Sequence, residues 1–343
     1  MNAGESTAPT LSPDAWLGHI RREYLETFVR DGGSAVKFPI PLDERSRDPL
    51  FKGLEGAARE AGCLYLHVDA AETRVHMIDR WFFRVAEQAP WGRLVREVLA
   101  RFARDEGYAL PTDSTESPVE QIASIHGVTP EFIGTRLDPR IEQYVFRERA
   151  LVREFRIAMT QLCLAELRGE DTSSGTFQIL TEWLTGRNTA VSAVKPFKIY
   201  TRINRANARH LFESLSWWVR FAGYAGTVIT VDAARISVPR NPRDEGVYYT
   251  KAMVLDFYEV LRQFIDGADR LSGCLLVVVP DMAFLDEEVS GRGYGAYQAL
   301  KLRIIDEVRD RRLVNPMAAL VRLKSIESSS PGGLQDSLPR SET

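Results

Sequence analysis

The chain contains few of the residues that form disulfides or metal centres. Its 343 residues include three cysteines and five histidines. The cysteines (Cys63, Cys163 and Cys274) are far apart and lie in apolar surroundings, so we interpret them as buried thiols in a reducing compartment. The histidines show no ligand spacing with the cysteines or with each other. We therefore expect no metal site and no disulfide framework.

Long apolar runs and an excess of basic charge are also absent. No stretch approaches the ~18 apolar residues of a membrane-spanning helix, and the polar N-terminus has no apolar signal core. The net charge is −3 at pH 7, so there is no overall basic field to attract nucleic acid. The hydrophobic fraction of 44% and the charged fraction of 27% are ordinary for a globular protein. We expect a cytoplasmic protein without membrane contact, in which any contact with nucleic acid is local.

Five short segments are rich in β-forming residues and are separated by helical patterns. They lie at 36–40, 63–68, 226–231, 274–279 and 319–323. Two of them, GTVITV and CLLVVV, are continuous apolar runs of the kind found in strands buried on both faces. Alternation of strands and helices predicts an α/β fold with a five-stranded parallel sheet covered on both sides.

The helical patterns are unevenly distributed along the chain. A long, mainly helical stretch, about 77–190, separates the second strand from the third, with breaks expected near Pro90, at 111–117, and near Pro130 and Pro139. We interpret it as an insertion within one domain of residues 14–323. The polar segments 1–13 and 324–343 are predicted to be disordered.

In open α/β sheets the ligand crevice lies at the carboxyl ends of the strands. The residues that directly follow the predicted strands, 41–47, Asp69, 232–235 and 280–284, are therefore the first candidates for a binding site. Four charged residues among them are singled out. They are Arg45, Arg47, Asp232 and Asp281.

The segment from Trp183 to Arg303 resembles the ATP-binding P-loop proteins associated with BREX-type phage-defence operons. The similarity runs from WLTGR through FKIYTRINRANARHLFESLSWWVRFAGYAGTVITVD and resumes at CLLVVVPDMAFLDE. It continues in the pattern Arg292, Gly293, Tyr297, Ala299, Leu300 and Arg303, and EYLETFVRDGGSAVKF is similar to the lead-in to the family's first strand. The resemblance implies an AAA-like ATPase fold, with a Walker A loop after the first strand and an acidic residue ending the Walker B strand.

The expected phosphate-binding loop is missing. A Walker A loop, GxxxxGK[S/T], needs glycines so that backbone N–H groups can surround phosphate, a lysine for the β- and γ-phosphates, and a hydroxyl for Mg²⁺. Residues 39–49 read PIPLDERSRDP, with no glycine, three prolines that lack N–H groups, and three carboxylates. No Gly-Lys-Ser/Thr occurs anywhere in the chain.

The catalytic carboxylate expected after the Walker B strand is missing too. Asp232 stands where the resemblance implies the acid associated with Mg²⁺. The following residues are Ala233 and Ala234, where a catalytic glutamate would orient the attacking water. Loss of both features predicts a protein that does not hydrolyse ATP, and we assign no catalytic residue. The four charged residues singled out after the predicted strands are assigned to a degenerate nucleotide site.

Two further groups of basic residues have a functional and a structural interpretation. Arg292 and Arg303 could complete a neighbouring subunit's active site, or they could belong to a loop and a helix surface. A basic segment with Phe197 and Tyr200 interleaved could contact nucleic-acid phosphates, or it could be a solvated edge beside a core helix. Its charged members are Lys195, Lys198, Arg202, Arg205 and Arg209.

Three functional hypotheses follow. The first is a non-hydrolysing subunit of a bacterial defence complex, with no cofactor, acting in assembly or regulation through protein partners. Related active ATPase subunits would be such partners, in a homo- or hetero-oligomer, with DNA as a further contact. The second is a working ATPase that binds ATP and Mg²⁺ through an unconventional loop around Arg45 and Arg47. The third is a nucleic-acid-binding module that uses the basic segment.

Overall fold

The computed structural model describes residues 9–110, 117–169, 175–237, 246–286, 291–305 and 314–324. The predicted disordered ends therefore fall mostly outside the described residues, as does nearly all of the loop predicted at 111–117. Residues 9–13 are described. Leu11 forms a parallel bridge with Leu323. The domain bounds of 14 and 323 stay a prediction.

The five predicted strands form a single parallel sheet. The strands are β1 (Ala35–Pro41), β2 (Leu64–Asp69), β3 (Thr227–Asp232), β4 (Cys274–Val279) and β5 (Leu320–Leu323). Their order is β2-β3-β4-β1-β5, and all neighbours are parallel. The prediction of a five-stranded parallel sheet is confirmed.

Helices connect the strands and account for about half of the described residues. The first precedes the sheet: α1 (Pro13–His19) continues as a π-helical segment, Ile20–Val29. The others are α2 (Arg47–Glu60), α3 (Ile78–Gln88), α4 (Trp91–Asp105), α5 (Pro118–His126), α6 (Pro130–Ile141), α7 (Arg153–Leu167), α8 (Thr176–Leu184), α9 (Val191–Val194), α10 (Ala208–Phe221), α11 (Ala234–Ser237), α12 (Lys251–Asp266) and α13 (Gln298–Ile304). Helices α3 to α10 lie between β2 and β3, where the helical insertion was predicted.

Each face of the sheet has its own hydrophobic core. On one face, Trp16 of α1 and Leu54 of α2 pack with Leu275 of β4. On the other face the larger core contains Trp81 of α3 and Trp218 of α10, together with residues of α12 and α13. The helices that follow β1 and β4 thus lie on opposite faces, which makes the carboxyl ends of these two strands the switch point where a crevice forms.

The prolines of β1, Pro39 and Pro41, lie within the strand and do not interrupt it. Alternate residues of a strand direct their backbone groups to opposite neighbours. Phe38 and Leu42 donate N–H groups to carbonyls of the β5 side, so Pro39 and Pro41 face β4. The β1–β5 ladder therefore runs through Pro41, while the register with β4 ends at Lys37. The two prolines separate β1 from β4 at the carboxyl edge only.

The break predicted at Pro139 is wrong, because α6 continues through it. A proline inside a helix removes one hydrogen bond, to the carbonyl four residues earlier. That carbonyl belongs to Thr135, an exposed residue whose carbonyl can bond to water. The helix then loosens into the π-helical segment Glu142–Phe146.

Candidate functional site at the carboxyl edge of the sheet

Arg47 joins the carboxyl ends of β3 and β4. It is the first residue of α2, and its Nε donates to Asp232 Oδ1 at 3.1 Å and Oδ2 at 3.0 Å. Nη2 donates to Oδ1 at 2.5 Å and to the Val279 carbonyl, and Nη1 donates to the Pro280 carbonyl at 3.1 Å. The side chains of Arg47 and Asp232 are 15% and 24% exposed, so water screens this ion pair only in part.

A carboxylate of the chain itself caps the turn between β1 and α2. Asp43 precedes a single 3₁₀ turn, Glu44–Ser46, and α2 follows directly. Asp43 Oδ1 accepts from the Ser46 N–H at 2.8 Å and from the Ser46 hydroxyl at 2.8 Å. N–H groups at such a helix entry are the groups that bind phosphate in other proteins. Here one of them is already bound to an internal anion.

The aspartates that end β2 and β3 accept hydrogen bonds from backbone N–H groups two residues further along the chain. Asp69 and Asp232 are partners in the β2–β3 register. Asp69 Oδ1 accepts from the N–H of Ala71 at 2.7 Å, and Asp232 Oδ1 accepts from that of Ala234 at 3.0 Å. Both carboxylates therefore shape the turn that follows their strand.

Asp281 lies close to the ion pair of Arg47 and Asp232 and is half-buried. Its Oδ1 has no hydrogen-bond partner among the described residues, and neither has the buried Oγ of Ser237 at the end of α11. Burial raises the pKa of Asp281, against the opposing effects of the N–H groups of Phe284 and Ala283 and of Arg47. Asp281 therefore differs from Asp232, whose charge Arg47 balances directly.

Arg45 is the remaining predicted member of this site. It is exposed on the 3₁₀ turn. Arg47, by contrast, points into the crevice. The structure thus brings Arg47, Asp232 and Asp281 together and leaves Arg45 at the rim.

Arg292 is a buried side chain that ties three segments together. Its Nη1 donates to the Tyr249 carbonyl at 2.9 Å and the Ile236 carbonyl at 3.4 Å, and Nη2 donates to the Tyr248 hydroxyl at 3.2 Å. It is 8% exposed. In this conformation the guanidinium is directed inward, so a contact with a neighbouring subunit would require the loop to move. That role stays a prediction.

Arg303 joins α13 to α12. Its Nη2 donates to Asp266 Oδ2 at 2.9 Å, and Nε also bonds to Asp266. Asp266 in turn accepts from Arg262, which is bonded to Glu259. The side chain of Arg303 is 33% exposed, and it is bonded within this network of alternating charges. A role for it in a neighbour's active site likewise stays a prediction.

The charged members of the predicted basic segment lie in different surroundings, and Arg202 is exposed. Their contact with nucleic acid stays a prediction. Lys195 and Lys198 are exposed beside α7. Arg205 lies near enough to His76 to help lower the pKa of that imidazole, although burial is the larger cause. Arg209 lies near Gly267 at the end of α12 and pairs with Glu213 at 3.9 Å. Lys198 faces helix α7 and the arginines of that helix.

These α7 arginines were missed in the sequence, where only the segment 195–209 was considered basic. Arg153, Arg156 and Gln161 line a cleft of about 260 Å³ with Lys198, Phe146, Ile157, Pro196 and Phe197. Residues 153, 156, 157 and 161 have the spacing of one helix face. That spacing was visible in the sequence, but nothing there showed that Lys198 would lie opposite it.

Other classes of site find no support in the part of the chain that the structure describes. No group of three or more histidine, cysteine, aspartate or glutamate residues there could hold a metal ion. Of the described helices, none is both long and apolar enough to span a bilayer.

The fold and the site define an α/β protein in which charged side chains meet at the carboxyl ends of parallel strands. Residues 132–337 match the model of the family described as BREX system ATP-binding protein BrxC/D. This match covers more than half of the 343 residues, and the chain belongs to that family. The family consists of ATP-binding components of BREX, an anti-phage defence system. No curated protein matches the chain, and no solved structure does.

Proposed function

We propose that this chain is a non-hydrolysing subunit of a BREX defence complex, built on an AAA-like P-loop architecture and acting in assembly or regulation through protein partners. The observation that carries the proposal is the contact of Arg47 with Asp232. The guanidinium of Arg47 pairs with the carboxylate that the resemblance to the family would assign to Mg²⁺.

The residues present do not fit Mg-ATP in the usual pose. Phosphate binding at a helix entry requires free N–H groups and close approach of the backbone. Pro39 and Pro41 supply no N–H, and Asp43 uses that of Ser46. The carboxylates of Asp43, Glu44 and Asp48 would repel a triphosphate.

Asp232 is not free to hold a divalent cation either. Arg47 contacts both of its oxygens, and Oδ1 also accepts from the Ala234 N–H. A magnesium ion would have to displace the guanidinium, which is also bound to the carbonyls of Val279 and Pro280. The internal ion pair therefore stabilises the crevice without a nucleotide.

The assignment of partners rests on the family. A component of a BREX system works with other subunits of that system, and a member without a phosphate cradle can contribute contacts instead of turnover. Active ATPase subunits are the partners we favour, because the nucleotide site of such a subunit can take an arginine from a neighbouring protein.

Nucleotide binding by the purified chain tests the proposal. We expect no heat of ATP binding in titration calorimetry at micromolar protein, with or without Mg²⁺, and no phosphate release. Arg47→Ala alone should not restore binding, because the prolines and carboxylates of the turn remain. Micromolar affinity or turnover that Asp232→Ala abolishes, and that the control Arg59→Ala on the outer surface of α2 retains, would overturn it.

The partner role has a separate test. The tagged chain, expressed from its native operon, should co-purify with other BREX subunits in a defined stoichiometry. Isolation of the chain alone, from an operon that confers phage resistance, would argue against a role in assembly.

A further inference from the structure

A cleft on the helical part of the molecule has a lining unlike that of the switch point. Its walls are α7, the π-helical segment Glu142–Phe146 and the 3₁₀ turn Lys195–Phe197. Arg153, Arg156 and Lys198 bring three cations to it, and Gln161 adds an amide. The volume of about 260 Å³ is near the lower end of the range for small-molecule sites, ~300–1000 Å³, so it suits one nucleotide-sized unit.

The cations of the cleft are held in place mainly by backbone groups. Arg156 Nη1 donates to the Glu148 carbonyl at 3.2 Å, and Arg153 Nη2 donates to the Lys198 carbonyl at 3.4 Å. Among the described residues, the carboxylate that pairs with one of these cations is that of Glu154, 3.6 Å from Arg153. Neither Arg156 nor Lys198 forms an ion pair with any described residue. Positive charge is thus positioned in the cleft and left largely uncompensated.

Lys198 has an unusual backbone conformation. Its φ of 64° is the only positive value among the described residues other than glycine. A lysine at such a position is strained, and strained residues that persist tend to cluster at functional sites. Glycine would fit this position at lower cost, but it would remove the cation from the cleft.

Exposed aromatic side chains stand beside these cations. Phe146, in the cleft lining, is 47% exposed. Tyr200 is 53% exposed, and the Arg153 guanidinium lies over its ring, 5.9 Å from the ring centre. Cations that contact phosphate, together with aromatic rings on which bases stack, are the features of surfaces that bind single-stranded nucleic acid. Duplex DNA keeps its bases stacked and would leave the aromatic rings unused.

We propose that this cleft binds single-stranded nucleic acid, with Arg153, Arg156 and Lys198 on the phosphates and Phe146 or Tyr200 stacked on a base. The site is separate from the switch point and needs no nucleotide there, so it goes beyond the proposed pseudo-ATPase function. The site shares Lys198 and Tyr200 with the predicted basic segment and adds Arg153, Arg156 and Phe146, which the sequence analysis did not single out.

Fluorescence anisotropy with a labelled 20-nucleotide oligo-dT tests the proposal on the full chain. We expect Arg156→Ala/Lys198→Ala to weaken binding at least about tenfold at low salt. The slope of log K against log salt should become shallower by about 0.7 for each phosphate that the variant no longer neutralises. Phe146→Ala should weaken binding about fivefold or more without changing that slope, because stacking releases no counterions. The matched control Lys52→Ala/Arg104→Ala removes the same charge from exposed positions elsewhere and should bind like wild type.

Several outcomes would overturn the proposal. These are no binding of oligo-dT at 50 mM salt, equally weakened binding by the control variant, or tighter binding of a duplex of the same length. Full displacement of oligo-dT by a poly-glutamate peptide at equal concentration would instead identify the cleft as a site for acidic proteins. Lys198→Gly separates loss of binding from misfolding. It relieves backbone strain, so it should weaken binding while raising the melting temperature.

Discussion

Arg47 and Asp232 are 185 residues apart in the sequence and share three hydrogen bonds at the switch point of the sheet. Arg47→Ala would leave Asp232 with a half-buried, unbalanced charge and remove donors from the carbonyls of Val279 and Pro280. Since hydrogen bonds to charged groups contribute ~1.5–3 kcal/mol each, we expect a decrease of about 2 kcal/mol in the free energy of unfolding. Urea denaturation measures it.

The control for this change is Arg59→Ala, in the same helix. Arg59 pairs with Glu55 at an exposed position, where an ion pair contributes less than ~0.5 kcal/mol. Arg47→Lys should recover only part of the stability, because an ammonium cannot reproduce the fork of the guanidinium. If Arg47→Ala and Arg59→Ala cost the same, the ion pair does not stabilise the crevice.

Two glycines of the helical region provide an opposed pair of substitutions. Gly134 lies inside α6 and Gly127 ends α5 with φ +65°, and an added Cβ would meet no atom within 4 Å at either. Gly134→Ala should therefore raise stability by about 0.5–1 kcal/mol through helix propensity. Gly127→Ala should lower it by roughly 1–2 kcal/mol through left-handed strain alone. Thermal unfolding of the two variants measures both effects. Changes in melting temperature of the same sign would contradict the opposite conformational roles of Gly134 and Gly127.

Much of the fold was predictable because its signals are local. CLLVVV and GTVITV are buried on both faces as β4 and β3, and all five strands were placed within one residue of their ends. The resemblance to the BREX family was found from motifs of the same region. Strand order was not predicted, because the local pattern of a parallel strand does not reveal its neighbours.

The contacts of the site were less predictable than its position. Asp232 and Arg47 were both singled out, since each follows a strand, but they were assigned to a nucleotide and not to each other. Whether two candidate groups bind a ligand or pair internally depends on side-chain direction, which strand spacing does not give. The inward direction of the Arg292 side chain, whose guanidinium donates to the Tyr249 carbonyl, was not predictable for the same reason.

Lys198 offers a prediction about strain that does not depend on its ligand. Lys198→Gly should raise the free energy of unfolding by about 0.5–1 kcal/mol, because glycine adopts the left-handed region freely. The matched control is Lys195→Gly, an exposed lysine three residues earlier with φ −59°, where the change should be neutral or destabilising. Equal effects at both positions, measured by urea denaturation, would show that the conformation of Lys198 is not strained.

The network that joins α12 and α13 should make stability depend on acid pH. Arg262 holds the pKa of Glu259 at about 2, well below its usual 4.5, and Tyr297 and Gln263 also donate to it. A carboxylate whose pKa is lower in the folded than in the unfolded state stabilises the fold at every pH above its unfolded pKa. This contribution disappears as the pH falls from about 4.5 through about 2.

Glu259→Gln keeps the shape of the side chain but cannot titrate. Wild type should therefore be more stable than this variant at pH 6, and the difference should shrink at pH 3, because the unfolded glutamate is then mostly protonated. Urea midpoints at the two pH values measure it. Glu55→Gln, at the exposed pair with Arg59, is the control and should show a small difference that changes little between the two pH values. A gap between wild type and Glu259→Gln that is the same at both pH values would mean that the charge of Glu259 does not hold α12 and α13 together.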